Sequence, residues 1–249
     1  MRSAFLIRSA GLSLAAIAIP AGPASAQNVP PERVAVTVTG GFTSPAASFT
    51  QNVTFEQYSE QGTLTATYSA PSRPSVDGGV TVRVWHALAV GVAGWYYRDA
   101  GVAQVTASVP NPIVADSPRP ISGPANVTHA ETAVHVQAAY WLRVNPRVTV
   151  IVEGGPSFFH VTQDFVSDVS YTQSFPFTTA TFQSASTVRE KQSATGYNVG
   201  GEGGWRVWRQ LSVVGAVRYS HATANFTDAL AQPMKLGGLH VGAGIRLMF

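Results

Sequence analysis

Arg83, Glu131, His135, Glu153, Glu202, Arg206, Arg218, His240 and Arg246 interrupt segments that are otherwise rich in Val, Thr, Gly and Tyr. Around Arg246, Ile245 and Leu247 alternate with the charge, so in an extended strand the guanidinium and its apolar neighbours point to opposite faces. A face shared by such residues gathers both signs of charge in a confined interior, where an unpaired ion is costly and must find a partner. If the segments on either side of Gln210 pair as a hairpin, Glu202 falls opposite Arg218, with Glu153 and Arg246 on neighbouring strands. The candidate polar network is therefore Arg83, His135, Glu153, Glu202, Arg206, Arg218 and Arg246. Two chemistries fit it. Fixed ion pairs would plug a narrow interior, whereas pairs that exchange partners would gate a narrow polar path.

Acyl-transfer chemistry would need a nucleophile, a base and an orienting carboxylate that converge. Ser220-His221 comes nearest, but adjacent strand residues diverge: Ser220 turns inward as His221 turns outward, and Thr223 stands where a same-face serine would be wanted. The next carboxylate, Asp228, belongs to a connecting loop. No catalytic residue is expected. The histidines at 86, 129, 135, 160, 221 and 240 show neither a helical pair four residues apart nor a dense cluster. The chain has no cysteine, which removes thiolate metal ligands, disulfides and thiol catalysis. Neither a metal nor a cofactor is expected.

Only 12% of the 249 residues are charged, about half the share usual in soluble globular chains. The formal net charge of +3 includes Arg2 and Arg8 of a leader, and the remainder is close to neutral. Nucleic acid is therefore not an expected partner. Residues 1–26 read as a secretory signal, with Arg2 and Arg8 as its basic end, Gly11 to Ile19 as its apolar stretch, and Ala24-Ser25-Ala26 before a cut at Gln27. Pro20, Gly22 and Pro23 make that stretch too short for a membrane helix. No other segment is apolar enough for one, so residues 27–249, read as one domain, would cross a bilayer only as a closed barrel.

The alternation predicts an all-β chain of eight strands at about 33–43, 57–69, 79–97, 127–143, 148–163, 194–208, 211–226 and 237–249. Short links at 70–78, 144–147 and 209–210 alternate with longer ones at 44–56, 98–126, 164–193 and 227–236. An antiparallel up-and-down transmembrane barrel has this pattern, with short periplasmic turns and long extracellular loops. In the last strand, Leu239, Val241, Ala243, Ile245, Leu247 and Phe249 suit lipid, whereas His240, Gly242, Gly244, Arg246 and Met248 suit a lumen. Trp141, Trp205 and Trp208 near the short turns, and Trp95 and Tyr96 near the loops, are read as two interfacial belts. One residue resists the scheme: by parity, His86 sits on the lipid face of the strand at 79–97, which requires a bulge or a capped neutral ring. Segment 169–182 is expected to continue its flanking strands above the membrane as a hairpin.

Gly196-Tyr197-Asn198-Val199-Gly200-Gly201 leading to Trp205-Arg206, then Val217-Arg218-Tyr219-Ser220-His221 and the ending Gly244-Ile245-Arg246-Leu247-Met248-Phe249, resemble the small eight-stranded outer-membrane β-barrels. That group includes the outer-membrane protein A barrel, the opacity-type proteins and the protein W-like barrels, and the resemblance covers the whole mature chain. It implies an outer-membrane location after passage through the periplasm, and a monomer in contact with outer-membrane lipid and lipopolysaccharide. It also implies that Ile245, Leu247 and Phe249 form the signal read by the barrel-assembly machinery. The function expected is a non-catalytic structural or surface-interaction role, with a possible extracellular ligand at the loops. A narrow passage for small molecules, including hydrophobic ones, is the alternative; a lipid A-modifying enzyme is a more distant one.

Overall fold

The computed structural model describes residues 32–45, 48–226 and 229–249. The export signal at 1–26, residues 27–31 and Asp228 lie outside the described residues. All regular structure among the described residues is β. In chain order the strands are β1 Val34–Pro45, β2 Phe49–Gln57, β3 Glu60–Tyr68, β4 Arg73–Trp85 and β5 Leu88–Val109. They continue with β6 Arg119–Arg143, β7 Val148–Gln173, β8 Ala180–Arg206, β9 Leu211–Ala224 and β10 Met234–Met248.

Eight of these strands close a ring. β1 pairs with β4, β4 with β5, and each strand from β5 to β10 with the next, all antiparallel. The pairing of β10 back onto β1, from Ala35↔Met248 to Pro45↔Gly238, closes the barrel and removes the free edge. Glycines line this seam where the backbones come close: a Cβ at Gly244 would overlap the Val38 carbonyl oxygen.

The eight wall strands are not quite the eight predicted. The segment at 57–69 is not in the wall. It supplies β3, which turns back on β2 through Tyr58 and Ser59, both at positive φ. The hairpin then docks on the upper part of β5 through Thr63–Thr67 against Gln104–Ser108. Conversely, the strand predicted at 79–97 is two wall strands, β4 and β5, folded at His86-Ala87. His86 is exposed in that turn with φ 49°, which removes the conflict over its facing. The first periplasmic turn is thus 86–87, not 70–78, and most of 73–78 lies within β4. The fold-back leaves no mark on the alternation, because Val80, Val82 and Val84 before it and Leu88, Val90 and Val92 after it all face outward.

The stretches at 98–126 and 164–193 are also mostly strand. β5 to β8 rise past the membrane, and β7 and β8 run to Gln173 and from Ala180, the hairpin expected at 169–182. Alternating side chains place Val38, Phe42, Val136, Val152, Val199, Val217, Val241 and Ile245 outward as an apolar belt. Among β5 to β8 that belt ends at the row Tyr96–Thr132–His160–Ser193. The next row up is Arg98–Ala130–Thr162–Lys191, which carries exposed charge and marks the upper limit of the spanning segment.

The interior is layered. Ala35, Ala89, Ala139, Trp141, Ile151 and Met248 pack at the periplasmic end. A larger apolar cluster begins with Trp95, Tyr97 and Phe159 and continues into the extracellular extension, where Leu64 and Tyr68 of the hairpin meet Val105, Phe165 and Val166. The polar residues occupy the layer between these two clusters.

Candidate functional site

The short period of a strand fixes which residues enter the lumen, and the closed ring decides which of them meet. Arg218 on β9 reaches Asp77 on β4 with one terminal nitrogen and Glu153 on β7 with the other. Arg246 on β10 pairs with Glu202 on β8, while its Nε donates to Thr37 Oγ1 at 3.2 Å. Arg246 is fully buried, and all five charged groups are at most 8% exposed. Each arginine therefore has a carboxylate in a space closed to bulk water, which burial of charge demands.

Polar side chains complete the layer. Gln137 donates to Asn198 at 3.0 Å, and Asn198 donates to Ser157 Oγ at 2.9 Å, where His135 Nδ1 also bonds at 2.8 Å. On the opposite wall the Trp95 indole donates to Thr43, Thr43 donates to Ser75, and Ser75 meets His240 Nδ1 at 2.8 Å. The result is a cross-linked plate of side chains spanning the barrel.

Several expected placements change. Glu202 does not pair with Arg218. Arg218 is in register with Gly200 and His240, and its long side chain crosses the lumen instead of running along the wall. Its partner Asp77 was read as part of an Asp-Gly turn, but lies in β4 facing inward. Arg83 forms no ion pair and lies over the Trp141 ring, 4.6 Å from its centre. Arg206 sits at the periplasmic rim, sharing Glu32 with Arg143. Trp95 and Trp141 are inside the barrel, each at most 4% exposed, and so belong to no membrane interface. Their strand parity already pointed inward, in step with Tyr97 and with Glu131 and His135. Tyr96, Trp205 and Trp208 face outward, as does Trp85, which sequence reasoning did not single out.

In the final strand, Ile245, Leu247 and Phe249 are exposed on the outer face, in phase with Val241. Ser220 is buried, whereas His221 turns away to the rings of Tyr197 and Tyr219. Among the described residues, no group of three His, Asp or Glu side chains is placed to hold a metal.

A second polar cluster sits just above the spanning segment. His129 Nε2 is 2.7 Å from Glu131 and its Nδ1 is 2.6 Å from Gln163 Oε1. The Gln163 amide nitrogen is committed to the Asp164 carbonyl, so both ring nitrogens of His129 act as donors. Burial pulls the imidazole value down, but the hydrogen bond and charge of Glu131 outweigh it and leave the value raised. The cluster borders a cavity of about 50 Å³ shared with Tyr68, Tyr97 and Asp99. It also lies where the β6–β7 pairing ends.

The closed ring, the apolar belt and the charged lumen define a small transmembrane β-barrel of outer-membrane architecture. The fold is similar to that of outer membrane protein OprG from Pseudomonas aeruginosa, at 10% identity over 88% of this chain and 97% of that one, with a TM-score of 0.45. It is similar to Neisserial surface protein A, at 10% identity over 87% and 97%, TM-score 0.40. It is also similar to the outer membrane protease OmpT from Escherichia coli, at 9% identity over 90% and 99%, TM-score 0.49. No protein-family model and no curated protein matches the sequence.

Proposed function

We propose that this is a non-conducting, non-catalytic outer-membrane barrel whose work is done by its extracellular extension, as a structural or surface-interaction protein. The observation that carries this reading is the mid-barrel plate in which Arg218 holds Asp77 and Glu153 and Arg246 holds Glu202. An eight-stranded barrel has room for little more than its own side chains. Opening a water path here would separate buried ion pairs. Above the plate, apolar packing from Trp95 to the β2–β3 hairpin closes the extracellular end as well. β5 to β8, at 22 to 27 residues each, are more than twice the roughly 10 residues that a spanning strand needs. The excess forms a rigid platform outside the cell.

A gated channel is the second reading, supported by Arg218, which already serves two carboxylates and has an exchange partner in Glu202 on a nearby strand. Single-channel recording of the refolded protein in a planar bilayer separates the two, after a heat-dependent gel shift confirms the folded barrel. Silence is expected from the wild type. Discrete openings altered by Glu202→Ala would overturn the closed-plug reading in favour of the gate.

A further inference from the structure

At the upper edge of the apolar belt, the outer faces of β5, β6, β7 and β8 present one continuous row: Arg98, Ala130, Thr162 and Lys191. Arg98 and Lys191 are exposed, and among the described residues neither lies in an ion pair. With adjacent strands about 4.8 Å apart, the two cations stand about 14 Å from each other along the wall, separated only by a methyl group and a hydroxyl. The row below adds Tyr96, Thr132, His160 and Ser193. Immediately beneath those, Val134 and Phe158 are exposed members of the belt. The nearest outward acid, Asp164, is already taken by Arg189 at 2.7 Å. The patch is therefore net positive, rich in hydroxyls, and continuous with the lipid-facing surface.

We propose that this row is a binding site for the phosphorylated sugar headgroup of an outer-leaflet glycolipid, of the lipopolysaccharide type. Three features of the patch match three parts of that molecule. Arg98 and Lys191 are placed as paired phosphate contacts, Arg98 with a planar fork and Lys191 with a compact ammonium. Thr132, Thr162 and Ser193 offer hydroxyls to sugar oxygens, on strands whose small side chains leave the wall open between the cations. The acyl chains continue downward over Val134 and Phe158. A cation held at this depth is stabilised by an anionic headgroup and has no acid of the protein to neutralise it. The site rests on the reading of the chain as a membrane-spanning barrel, and it would anchor the extracellular extension at a fixed height.

The test is native mass spectrometry of the detergent-solubilised, heat-modifiable barrel titrated with bisphosphorylated lipid A, and in parallel with lipid A stripped of its phosphates. The expected result is preferential retention of the phosphorylated form. Retention should weaken roughly thirtyfold in the Arg98→Ser/Lys191→Ser double variant, at about five- to sixfold per cation. Lys191→Arg should retain it, and the Arg147→Ser/Arg209→Ser pair at the opposite rim should leave it unchanged. Undiminished binding by the first double variant, equal binding of the dephosphorylated lipid, or an equal loss in the opposite-rim pair would each overturn the site while leaving the barrel intact. Failure of the wild type to insert into lipid vesicles would overturn the membrane reading and the site with it.

Discussion

Replacing Arg246 with leucine removes the only group that neutralises Glu202 in the described lumen. Glu202 is 8% exposed and would remain as a buried carboxylate without a partner, a change that costs about 3–5 kcal/mol. The hydrogen bond from Arg246 Nε to Thr37 Oγ1 adds about 1 kcal/mol, so Arg246→Leu is expected to cost about 4–6 kcal/mol. Glu202→Leu strands the fully buried guanidinium and should cost about 3–5 kcal/mol by the same reasoning. In the double variant no charge is left unpaired; only the Thr37 bond and some packing are lost, and the cost should fall to about 1–2 kcal/mol. The three variants and the wild type form a double-mutant cycle, to be read from reversible urea unfolding in phospholipid vesicles followed by tryptophan fluorescence. A double variant as unstable as the sum of the single changes would show that the pair is not coupled and that solvent reaches both charges, which contradicts the plate.

Two further outcomes follow from the placement of other side chains. His129 has a raised value in the folded protein, so its bonds contribute stability that is complete below the ordinary imidazole value of 6.5 and is lost as pH rises through the raised one. Amide protection factors at 127–131 and 161–165 should therefore fall on the alkaline side in the wild type and change little in His129→Gln; equal behaviour of the two proteins would exclude the imidazolium clamp. In proteins reduced to one tryptophan, brominated lipid should quench Trp85, Trp205 and Trp208 strongly and Trp95 and Trp141 weakly. Strong quenching of either inner residue would mean that its strand faces the other way.

Much of this architecture can be read from the order of residues. The alternation in β8, β9 and β10 places Tyr197, Val213 and Ile245 outward and Asn198, Glu202 and Arg246 inward, because successive side chains of a strand leave opposite faces. The same rule, applied strictly, puts Trp95 and Trp141 inside; grouping them by their distance from the turns sends them to the interface instead. The turn at His86 escapes because it contains no Gly, Pro, Asn or Asp and because two residues preserve the phase of the alternation. The segment at 57–69 has the composition of a wall strand, and only its partner, the upper part of β5, reveals it as part of a hairpin on top.

The sequence by itself therefore determined the class of the fold, the sign of each face, and which charges enter the lumen, since all three depend on a period of two residues. It did not determine which charges meet. Asp77, Glu153 and Arg218 come from strands β4, β7 and β9, and their distances depend on strand stagger and ring closure, which no local pattern encodes. The same holds for Arg98 and Lys191, 93 positions apart in the chain and level with each other only because three consecutive registers bring them to one row. Period sets direction, and closure sets partners.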